Sequence, residues 1–332
     1  MTLPLFLRLL LWPFSALYGF LTQGRAALYS RGILKPRKLN RPVISVGNLT
    51  VGGTGKTPMV IYLAEYFLAQ GKHVGILSRG YRGSAGTSDE IELMKIRLQN
   101  RAKFGVGPNR YQQGKCLESE VDLFLLDDGF QHLQLARDLN ILLIDSSQPL
   151  AKQALLPTGR LREPASAISR ADLLVFTRAD TVAGAQVAIH KYQDYPVFSA
   201  STRFLGIRLL CPLNAPLLRL NETKGPFYAF CGVGNPRAFF QDLKNWNVPV
   251  VDHSEFQDHH RYDQRDAREL LAAARNSGAN ALLTTEKDAQ NLSGLSFPDF
   301  PVYLVVIDLQ IANETSFLSL LQKKISLEKH VA

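Results

Sequence analysis

The chain has 332 residues, 46% hydrophobic and 20% charged, which excludes disordered, collagen-like and coiled-coil proteins and favours two domains of about 150 residues each. The net charge of +9 is concentrated at the N-terminus, because residues 1–41 contain seven basic residues and no acidic one. The nearly neutral remainder disfavours a broad nucleic-acid-binding surface, so we expect a basic N-terminal segment that meets an anionic surface.

An apolar segment lies within this basic region, at 3–22, and Arg8 is its only charged residue. Its length approaches the roughly 20 residues of a bilayer span, but Pro13 and Arg8 disfavour an uninterrupted span. Trp12 and the flanking cations are typical of a helix that lies at a membrane interface. We predict a membrane-associated segment at 1–40, with its basic residues on the cytoplasmic side. A helix packed against the protein's own core and a cleaved signal peptide are the alternatives.

From residue 42 onward, strand-like and helix-like segments alternate around glycine turns, which predicts a parallel sheet covered by helices. The first group comprises a helix at 57–70 and strands at 42–46, 73–78, 121–126, 139–144 and 172–177. After residue 200 the pattern resumes, with helices at 236–246, 263–277 and 314–324 and strands at 226–231, 248–251, 279–284 and 301–307. We therefore predict an α/β fold, with a parallel-sheet domain at 41–205 and a smaller α/β domain at 206–332.

A glycine-rich loop separates the first predicted strand from the first predicted helix. It consists of Thr50, Val51, Gly52, Gly53, Thr54, Gly55, Lys56 and Thr57. In such a loop the glycines let backbone amides surround a phosphate, the lysine reaches the β- and γ-phosphates, and the hydroxyl after it binds Mg²⁺. We predict that this loop binds a nucleoside triphosphate and that the domain at 41–205 is of the P-loop NTPase type. We also predict that Lys56 serves in catalysis and that Thr57 contributes to a Mg²⁺ site.

Two adjacent carboxylates, Asp127 and Asp128, follow the apolar strand predicted at 121–126. The carboxyl end of a parallel strand, beside a phosphate loop, is where nucleoside triphosphatases bind Mg²⁺. Neighbouring side chains point in different directions, so we expect one of the two carboxylates to contact the metal. The sequence leaves open which of them does so.

Further short motifs follow in order along nearly the whole chain. They are GNLT at 47–50, SRGY at 78–81, DDGFQH at 127–132, LLP and LREP within 155–164, GVGNP at 232–236, DHH at 258–260 and TEKD at 285–288. Together with the glycine-rich loop, they resemble the tetraacyldisaccharide 4′-kinase family of lipid A biosynthesis. The N-terminal apolar segment is similar to that family's membrane anchor.

The resemblance implies an enzyme that uses ATP and Mg²⁺ to phosphorylate the 4′-hydroxyl of a tetraacylated glucosamine disaccharide 1-phosphate, which gives lipid IVA. It further implies a location at the cytoplasmic face of a Gram-negative inner membrane. The expected partners are this lipid and the membrane surface, and neither a nucleic acid nor an obligate protein partner is expected.

The resemblance also implies an Asp–His pair that activates the sugar hydroxyl. The family's aspartate belongs to a Gly-Asp-Glu-Pro segment, which here matches 88–91 without the glycine and the proline, so that Asp89 is the expected base. Its partner is His259, with Asp258 available to orient the imidazole, and Glu90 is assigned to the metal site. Because Asp89 and His259 fall in different predicted domains, we expect the active site in the cleft between them.

Two further side chains and one motif complete the candidates. Arg110, which matches a family arginine, is expected to contact a substrate phosphate or the transferring group, with a solvated surface position as the alternative. Glu163 is assigned to the metal or substrate-hydroxyl network, with an ion pair to Arg162 as the alternative. The TEKD motif at 285–288 is interpreted as a structural helix N-cap.

Two other function classes remain as alternatives. A membrane-associated ATP-driven switch that acts through a protein partner would carry a signature lysine before Gly52, where this chain has Val51. A GTPase would carry an Asn-Lys-x-Asp segment after a late strand, and the motif at 285–288 lacks the asparagine. Both alternatives are therefore weaker than the kinase.

Overall fold

The computed structural model describes residues 4–80, 88–150, 153–179, 190–212, 215–292 and 294–327, so Tyr81 of the SRGY motif lies outside the described residues. The chain divides into two compact units, each assembled from separate segments. Unit 1 comprises Met1–Thr87, Met94–Thr202 and Leu309–Ala332, and unit 2 comprises Ser88–Leu93 and Arg203–Asp308.

Helices and strands alternate along most of the described chain. The helices are α1 (Leu5–Ser30), α2 (Lys56–Ala69), α3 (Asp89–Arg97), α4 (Arg110–Leu117), α5 (Pro236–Asn245), α6 (Gln264–Asn276) and α7 (Glu314–Leu327). The strands are β1 (Val43–Asn48), β2 (Val74–Ser78), β3 (Lys103–Val106), β4 (Leu123–Asp127), β5 (Leu139–Asp145), β6 (Leu173–Thr177), β7 (Val197–Leu209), β8 (Phe227–Cys231), β9 (Val250–Glu255), β10 (Ala281–Thr285) and β11 (Val302–Ile311). The chain passes between the units within α3, β7 and β11.

Unit 1 is built on a parallel sheet in the order β3-β2-β4-β1-β5-β6-β7. Every residue of β1, β2, β4, β5 and β6 is buried, as expected for strands of a parallel sheet that is covered on both faces. In the β1–β4 pair, Val46 lies opposite Asp127. Because the two strands are parallel, the glycine-rich loop after β1 and the carboxylates after β4 leave the sheet at the same edge.

Gly47 lies near the end of strand β1, just before the loop, and close packing in unit 1 requires a glycine at this position. A Cβ at this position would lie 2.6 Å from the backbone nitrogen of Phe130 and 2.7 Å from its Cβ. Phe130 itself is fully buried in the core of unit 1, beside Leu142 and Leu174. The glycine therefore lets the DDGFQH segment lie directly against β1, which fixes the carboxylates beside the glycine-rich loop.

Unit 2 has its own parallel strands, in the order β11-β10-β8-β9, with α5 and α6 among its helices. Helix α6 begins at a capping box in which Asp263 accepts from the amide of Asp266. Its apolar residues Leu270 and Leu271 pack with Phe230 in the core of the unit. The predicted α/β fold class is confirmed by the alternating elements and the parallel pairing.

The structure divides the chain differently from the single boundary predicted between residues 205 and 206. The chain enters unit 2 at Arg203, but 309–332 returns to unit 1 and 88–93 belongs to unit 2. The return is explained by Phe317 of α7, which is fully buried and has ring contacts with Tyr62 and Phe198 of unit 1.

Helix α1 is longer than the predicted apolar segment and continues through Pro13 to Ser30. One side of it packs on unit 1, where Ser15 Oγ lies 2.8 Å from Thr158 Oγ1. Its other sides expose large apolar side chains, namely those of Phe6, Leu9, Leu10, Trp12, Phe14, Leu17, Phe20 and Leu21. Within the described part of the chain, none of the helices combines the length and the hydropathy that a bilayer crossing requires.

Candidate active site

The glycine-rich loop of unit 1 is tied to the LREP region through Arg160. The Val51 amide donates to the Arg160 carbonyl at 2.9 Å, and Arg160 Nη2 donates to the Val51 carbonyl at 2.7 Å. Gly52 and Gly55 have φ values of +107° and +85°, a region that favours glycine, and Gly55 directly precedes α2. The loop thus delivers Lys56 to the N-terminus of α2, where unpaired amides and the helix dipole favour a phosphate.

The other loop residues differ in their exposure. Thr50 and Thr54 are buried, and the Thr54 carbonyl accepts from Thr177 Oγ1 at 3.3 Å. Gly53 is exposed with open space where a side chain would lie, and Thr57, the second residue of α2, is partly exposed. The accessible side of the loop, where a nucleotide phosphate can approach, is therefore formed by Gly53 and the start of α2.

Asn48, the last residue of β1, organises the loop and was not assigned a role from the sequence. It is fully buried, and its Nδ2 donates to the Thr50 carbonyl at 2.7 Å. Its Oδ1 accepts from Lys56 Nζ at 3.4 Å, and its carbonyl accepts from Gln131 Nε2 at 2.9 Å. The asparagine thereby aims the lysine across the loop. A polar residue at the end of a mostly apolar strand was the signal in the sequence.

The two adjacent carboxylates have different environments, as expected for neighbouring side chains. Asp127 is buried at the end of β4 and accepts from Ser78 Oγ at 3.2 Å. Asp128 pairs with Arg162 Nη1 at 2.7 Å and lies 3.7 Å from Lys56 Nζ. Burial raises the pKa of the Asp128 carboxyl, but the Lys56 and Arg162 charges outweigh that effect and hold it below its usual value.

Glu163 is not paired with Arg162, which was the alternative considered from the sequence. Its carboxylate instead accepts two hydrogen bonds from Arg170, at 2.7 and 2.9 Å, while Arg162 turns to Asp128. The Arg170 guanidinium in turn lies 4.7 Å from the centre of the Phe130 ring. Adjacent residues of this loop point to opposite sides, so each finds its partner elsewhere in unit 1. The position of Arg162 next to Glu163 in the sequence therefore did not indicate that Arg162 pairs with Asp128 in the candidate site.

Arg110 is buried at the start of α4 rather than lying on a solvated face. Its Nη1 lies 3.1 Å from His132 Nδ1. Burial, followed by the Arg110 and Arg137 charges, lowers the pKa of His132 to about 4, so this imidazole is neutral and its Nδ1 accepts. Burial lowers the pKa of the Arg110 guanidinium, and the charges of Asp128 and Asp127 oppose that decrease. The Arg110 Nε has no hydrogen-bond partner among the described residues. Arg110 therefore brings a buried cation to the region of the two carboxylates.

Asp89 and His259 meet within unit 2. Asp89 is the first residue of α3, and its Oδ2 lies 3.2 Å from His259 Nδ1 and accepts from Asn291 Nδ2 at 2.9 Å. The hydrogen bond from His259 is the largest effect on the pKa of Asp89 and lowers it, whereas the same contact raises the pKa of His259. The structure thus joins the two residues of the predicted pair. Both belong to one unit, whereas the predicted boundaries separate them.

The residues beside this pair have distinct contacts. Asp258 lies 3.1 Å from Lys287 Nζ and 3.9 Å from His259 Nε2, so the lysine is its nearer partner. His260 points away from Asp89 and pairs with Asp266 at 2.8 Å. Glu90 follows Asp89 in the first turn of α3 and is partly buried.

The TEKD motif contains a buried carboxylate instead of a simple helix cap. Asp288 Oδ1 accepts from the Gly232 amide at 2.9 Å and from Tyr262 Oη at 3.0 Å, and its Oδ2 accepts from Thr285 Oγ1 at 2.6 Å. Burial raises the pKa of Asp288. The Thr285 hydroxyl also accepts from the Asp288 amide at 3.1 Å, which is the expected capping contact. The motif joins the ends of β8 and β10.

Comparison with known proteins gives one consistent family. The profile of the tetraacyldisaccharide-1-P 4′-kinase family matches residues 7–326. The tetraacyldisaccharide 4′-kinase of Geobacter sulfurreducens is 40% identical over 316 residues, which cover 89% of this chain and 87% of that protein. The tetraacyldisaccharide 4′-kinase of Geobacter metallireducens is 40% identical over 315 residues, 89% of this chain and 91% of that protein. The crystal structure of LpxK from Aquifex aeolicus in complex with ATP is 33% identical, with a TM-score of 0.73 over 96% of this chain and 99% of that chain.

Proposed function

This chain belongs to the tetraacyldisaccharide-1-P 4′-kinase family, and we propose that its glycine-rich loop and its Asp89–His259 pair carry out that family's reaction. The protein is a kinase of lipid A biosynthesis, which transfers the γ-phosphate of ATP to the 4′-hydroxyl of tetraacyldisaccharide 1-phosphate. The predicted family, function and enzyme class are therefore confirmed. The alternative of an ATP-driven switch that acts through a protein partner is not favoured.

The main support for the proposal that Asp89 and His259 activate the hydroxyl is the hydrogen bond between His259 Nδ1 and Asp89 Oδ2. A sugar hydroxyl is a weak nucleophile until a positioned group accepts its proton. Because His259 lowers the pKa of Asp89, this carboxylate is ionised at neutral pH and can act as that acceptor. In the proposed step the 4′-hydroxyl oxygen bonds to the γ-phosphorus, its proton passes to Asp89, and the bond from the γ-phosphorus to the bridging oxygen of ADP breaks.

The glycine-rich loop supplies the charge neutralisation in this proposal. Lys56, aimed by Asn48, would contact the β- and γ-phosphates, and the amides at the N-terminus of α2 would contact their oxygens. The Asp128 carboxylate pairs with Arg162 and lies beside Lys56. It would therefore orient these two cations toward the phosphates. Phosphoryl transfer depends mainly on such positioning and charge neutralisation.

The residues after β1 and β4 fit a Mg²⁺ ion. Mg²⁺ prefers hard oxygen ligands and commonly takes only one or two from the protein, with phosphate oxygens and water completing the shell. Thr57 is a partly exposed hydroxyl and Asp127 a buried carboxylate at the same edge of the sheet, whereas Asp128 is already held by Arg162. Thr57 and Asp127 would therefore hold the ion, and Glu90 stays a prediction. When bound, Mg²⁺ neutralises charge that develops on the phosphate oxygens.

Arg110 is assigned to the transferring group rather than to a distant phosphate of the lipid. The negative charges of Asp128 and Asp127 favour the charged form of its guanidinium, and its Nε has no hydrogen-bond partner among the described residues. Glu163, with both oxygens bound by Arg170, would support the loop that carries Arg162 and would not itself contact the substrate.

Helix α1 is proposed as a peripheral membrane contact on the cytoplasmic face of the inner membrane. Its apolar side chains are exposed over most of its length, including Phe6, Trp12 and Phe20. Seven basic residues within 1–41, with no acidic residue, would attract anionic lipid headgroups. Such an arrangement holds an enzyme at the surface where a lipid substrate is found.

The experiment is incubation of the purified protein with γ-labelled ATP and tetraacyldisaccharide 1-phosphate in detergent, followed by separation of the lipids. A labelled lipid that depends on the disaccharide, and that disappears in Asp89→Asn, is the expected result. Lys191→Met, an exposed lysine outside the candidate site, serves as the control variant. Hydrolysis of ATP without any labelled lipid would instead support the switch.

A further inference from the structure

Lys287 contacts the imidazole of His259 on the side away from Asp89. Its Nζ lies 3.3 Å from His259 Nε2 and 3.1 Å from Asp258 Oδ1. The opposite ring nitrogen, Nδ1, lies 3.2 Å from Asp89 Oδ2. The two nitrogens of one imidazole therefore meet groups of opposite charge, an ammonium and a carboxylate.

These contacts permit one arrangement of the ring proton. An ammonium group has only donors, so the nitrogen that faces it must accept with its lone pair. A carboxylate has only acceptors, so the nitrogen that faces it must carry the proton. His259 therefore has its proton on Nδ1, donated to Asp89, and its lone pair on Nε2, which accepts from Lys287.

The position of Lys287 is fixed by the buried network around its neighbour. Asp288 binds the Gly232 amide at 2.9 Å, and the carbonyl of the same glycine accepts from the His259 amide at 3.1 Å. One residue thus links the segment that carries Lys287 to the segment that carries His259. With 21% of its side chain exposed, Lys287 is more enclosed than the imidazole, which is 42% exposed. The contact is held from both sides by the fold of unit 2.

We propose that Lys287 is a positioning residue for the phosphoryl transfer, which fixes His259 as the tautomer whose Nδ1 donates to Asp89. This assignment rests on the proposed role of Asp89 and His259 in accepting the proton of the hydroxyl. In the opposite tautomer the Nδ1 lone pair would face the carboxylate, and the hydrogen bond that orients Asp89 would be lost. The hydrogen bond to Asp89 raises the pKa of His259, and burial and the Lys287 charge oppose that increase.

The first measurement reads the tautomer directly in the full-length protein in detergent. Histidine is labelled with ¹⁵N, and the His259 signals are those that vanish in His259→Gln. In the wild type we expect a protonated Nδ1 and an unprotonated Nε2, since the two have separate nitrogen shifts. A wild-type ring with its proton on Nε2 would overturn the proposal, whatever the variants do.

The second measurement compares Lys287→Met, which keeps length but loses the donor, with Lys287→Arg, which keeps a donor. Lys244→Met, an exposed lysine at the end of α5, is the matched control. Loss of one hydrogen bond that involves charged groups predicts a fall in kcat of about tenfold for Lys287→Met, with KM for ATP unchanged. The Nδ1–H signal should weaken in parallel, and Lys287→Arg should recover most of both.

Unchanged kcat and an unchanged tautomer in Lys287→Met would refute the role of Lys287. If the proposed role of the Asp89–His259 pair is wrong instead, His259→Gln leaves kcat at the wild-type value. The two failures can therefore be distinguished. Thermal melting of each variant identifies a folding defect. If Lys287→Met does not fold, the wild-type tautomer and the Lys287→Arg kinetics still decide between the two outcomes.

Discussion

Removing the imidazole of His259 tests whether the Asp–His pair works as one unit. The hydrogen bond from Nδ1 to Asp89 Oδ2 is 3.2 Å long, and the two side chains are 42% and 19% exposed. Hydrogen bonds to charged groups contribute about 1.5–3 kcal/mol, and the length and exposure of this one place it at the lower end. At about 1.4 kcal/mol per factor of ten, His259→Ala should lower kcat roughly tenfold.

Removing the carboxylate of Asp89 should have a larger effect, because it removes the proposed proton acceptor itself. General base catalysis contributes about 10²–10⁴-fold, so Asp89→Ala should lower kcat by that factor. In Asp89→Ala the remaining imidazole has no carboxylate to orient, so its further removal in the double variant should cost little. The double variant should therefore be scarcely slower than Asp89→Ala alone, as expected for residues that act as a unit.

The assay is labelled phosphate transfer to the disaccharide at saturating ATP, with kcat and KM for ATP measured for all four proteins. Thermal melting serves as the folding control, since Asn291 would still bind the Asp89 carboxylate when the imidazole is absent. Losses that multiply strictly in the double variant would refute the cooperation of the two residues. A nearly normal kcat for Asp89→Ala would show that another residue accepts the proton, with Glu90 the next to test.

Further predictions concern the loop, the pH dependence, the membrane contact and the core. Lys56→Ala should lower turnover by about 10²–10³-fold or more in the same transfer assay without a large change in melting temperature, because the lysine is the proposed contact of the β- and γ-phosphates. The lowered pKa of Asp89 places the acidic limb of the pH–kcat profile below the ordinary aspartate value. In His259→Ala that limb should move to higher pH, because the largest lowering effect is lost while burial, which raises the pKa, remains. Deletion of 1–22 should release the protein from anionic vesicles in a sedimentation assay with KM for ATP unchanged. Gly47→Ala should reduce the free energy of unfolding, measured with denaturant, by about 1–3 kcal/mol because its Cβ would lie 2.6 Å from a buried backbone atom.

Each of these predictions has its own contrary result. Wild-type turnover in Lys56→Ala would remove the loop from catalysis, and an unmoved acidic limb would mean that another group titrates there. Undiminished vesicle binding after the deletion would place the membrane contact elsewhere on the chain. Gly71→Ala is the control for Gly47→Ala, since no atom lies within 4 Å of its added Cβ, although its φ of +74° adds some strain.

The central strands of unit 1 could be predicted because burial on both faces leaves unbroken apolar runs. The strands that were missed lack such runs. Strand β3 has only one buried residue among its four, and β7 (Val197–Leu209) has only three buried residues, Ala200, Gly206 and Ile207. The periodicity of a strand that is half covered is weak over a short length, so it is hidden among neighbouring loops.

Some residues of the candidate site could likewise be predicted from local sequence patterns, and others could not. The loop and the two carboxylates follow from local patterns, whereas the partners of Arg162 and Glu163 depend on which residues the fold brings near them. Asn48 and Lys287 gave a weak signal, because a lone asparagine or lysine has many ordinary roles. The roles proposed for them rest on their distances to Lys56 and His259, which the sequence does not give.

The Asp89–His259 pair is preassembled, although the two residues lie 170 positions apart in the sequence. Among the described residues, the contacts that fix it include the bond from Asn291 to Asp89 and the bond from the His259 amide to the Gly232 carbonyl, both within unit 2. The insertion of 88–93 into unit 2 therefore delivers the carboxylate to the imidazole as part of folding. A base that is oriented in this way before substrate binds needs little reorganisation when the hydroxyl arrives, and this lowers the barrier to transfer.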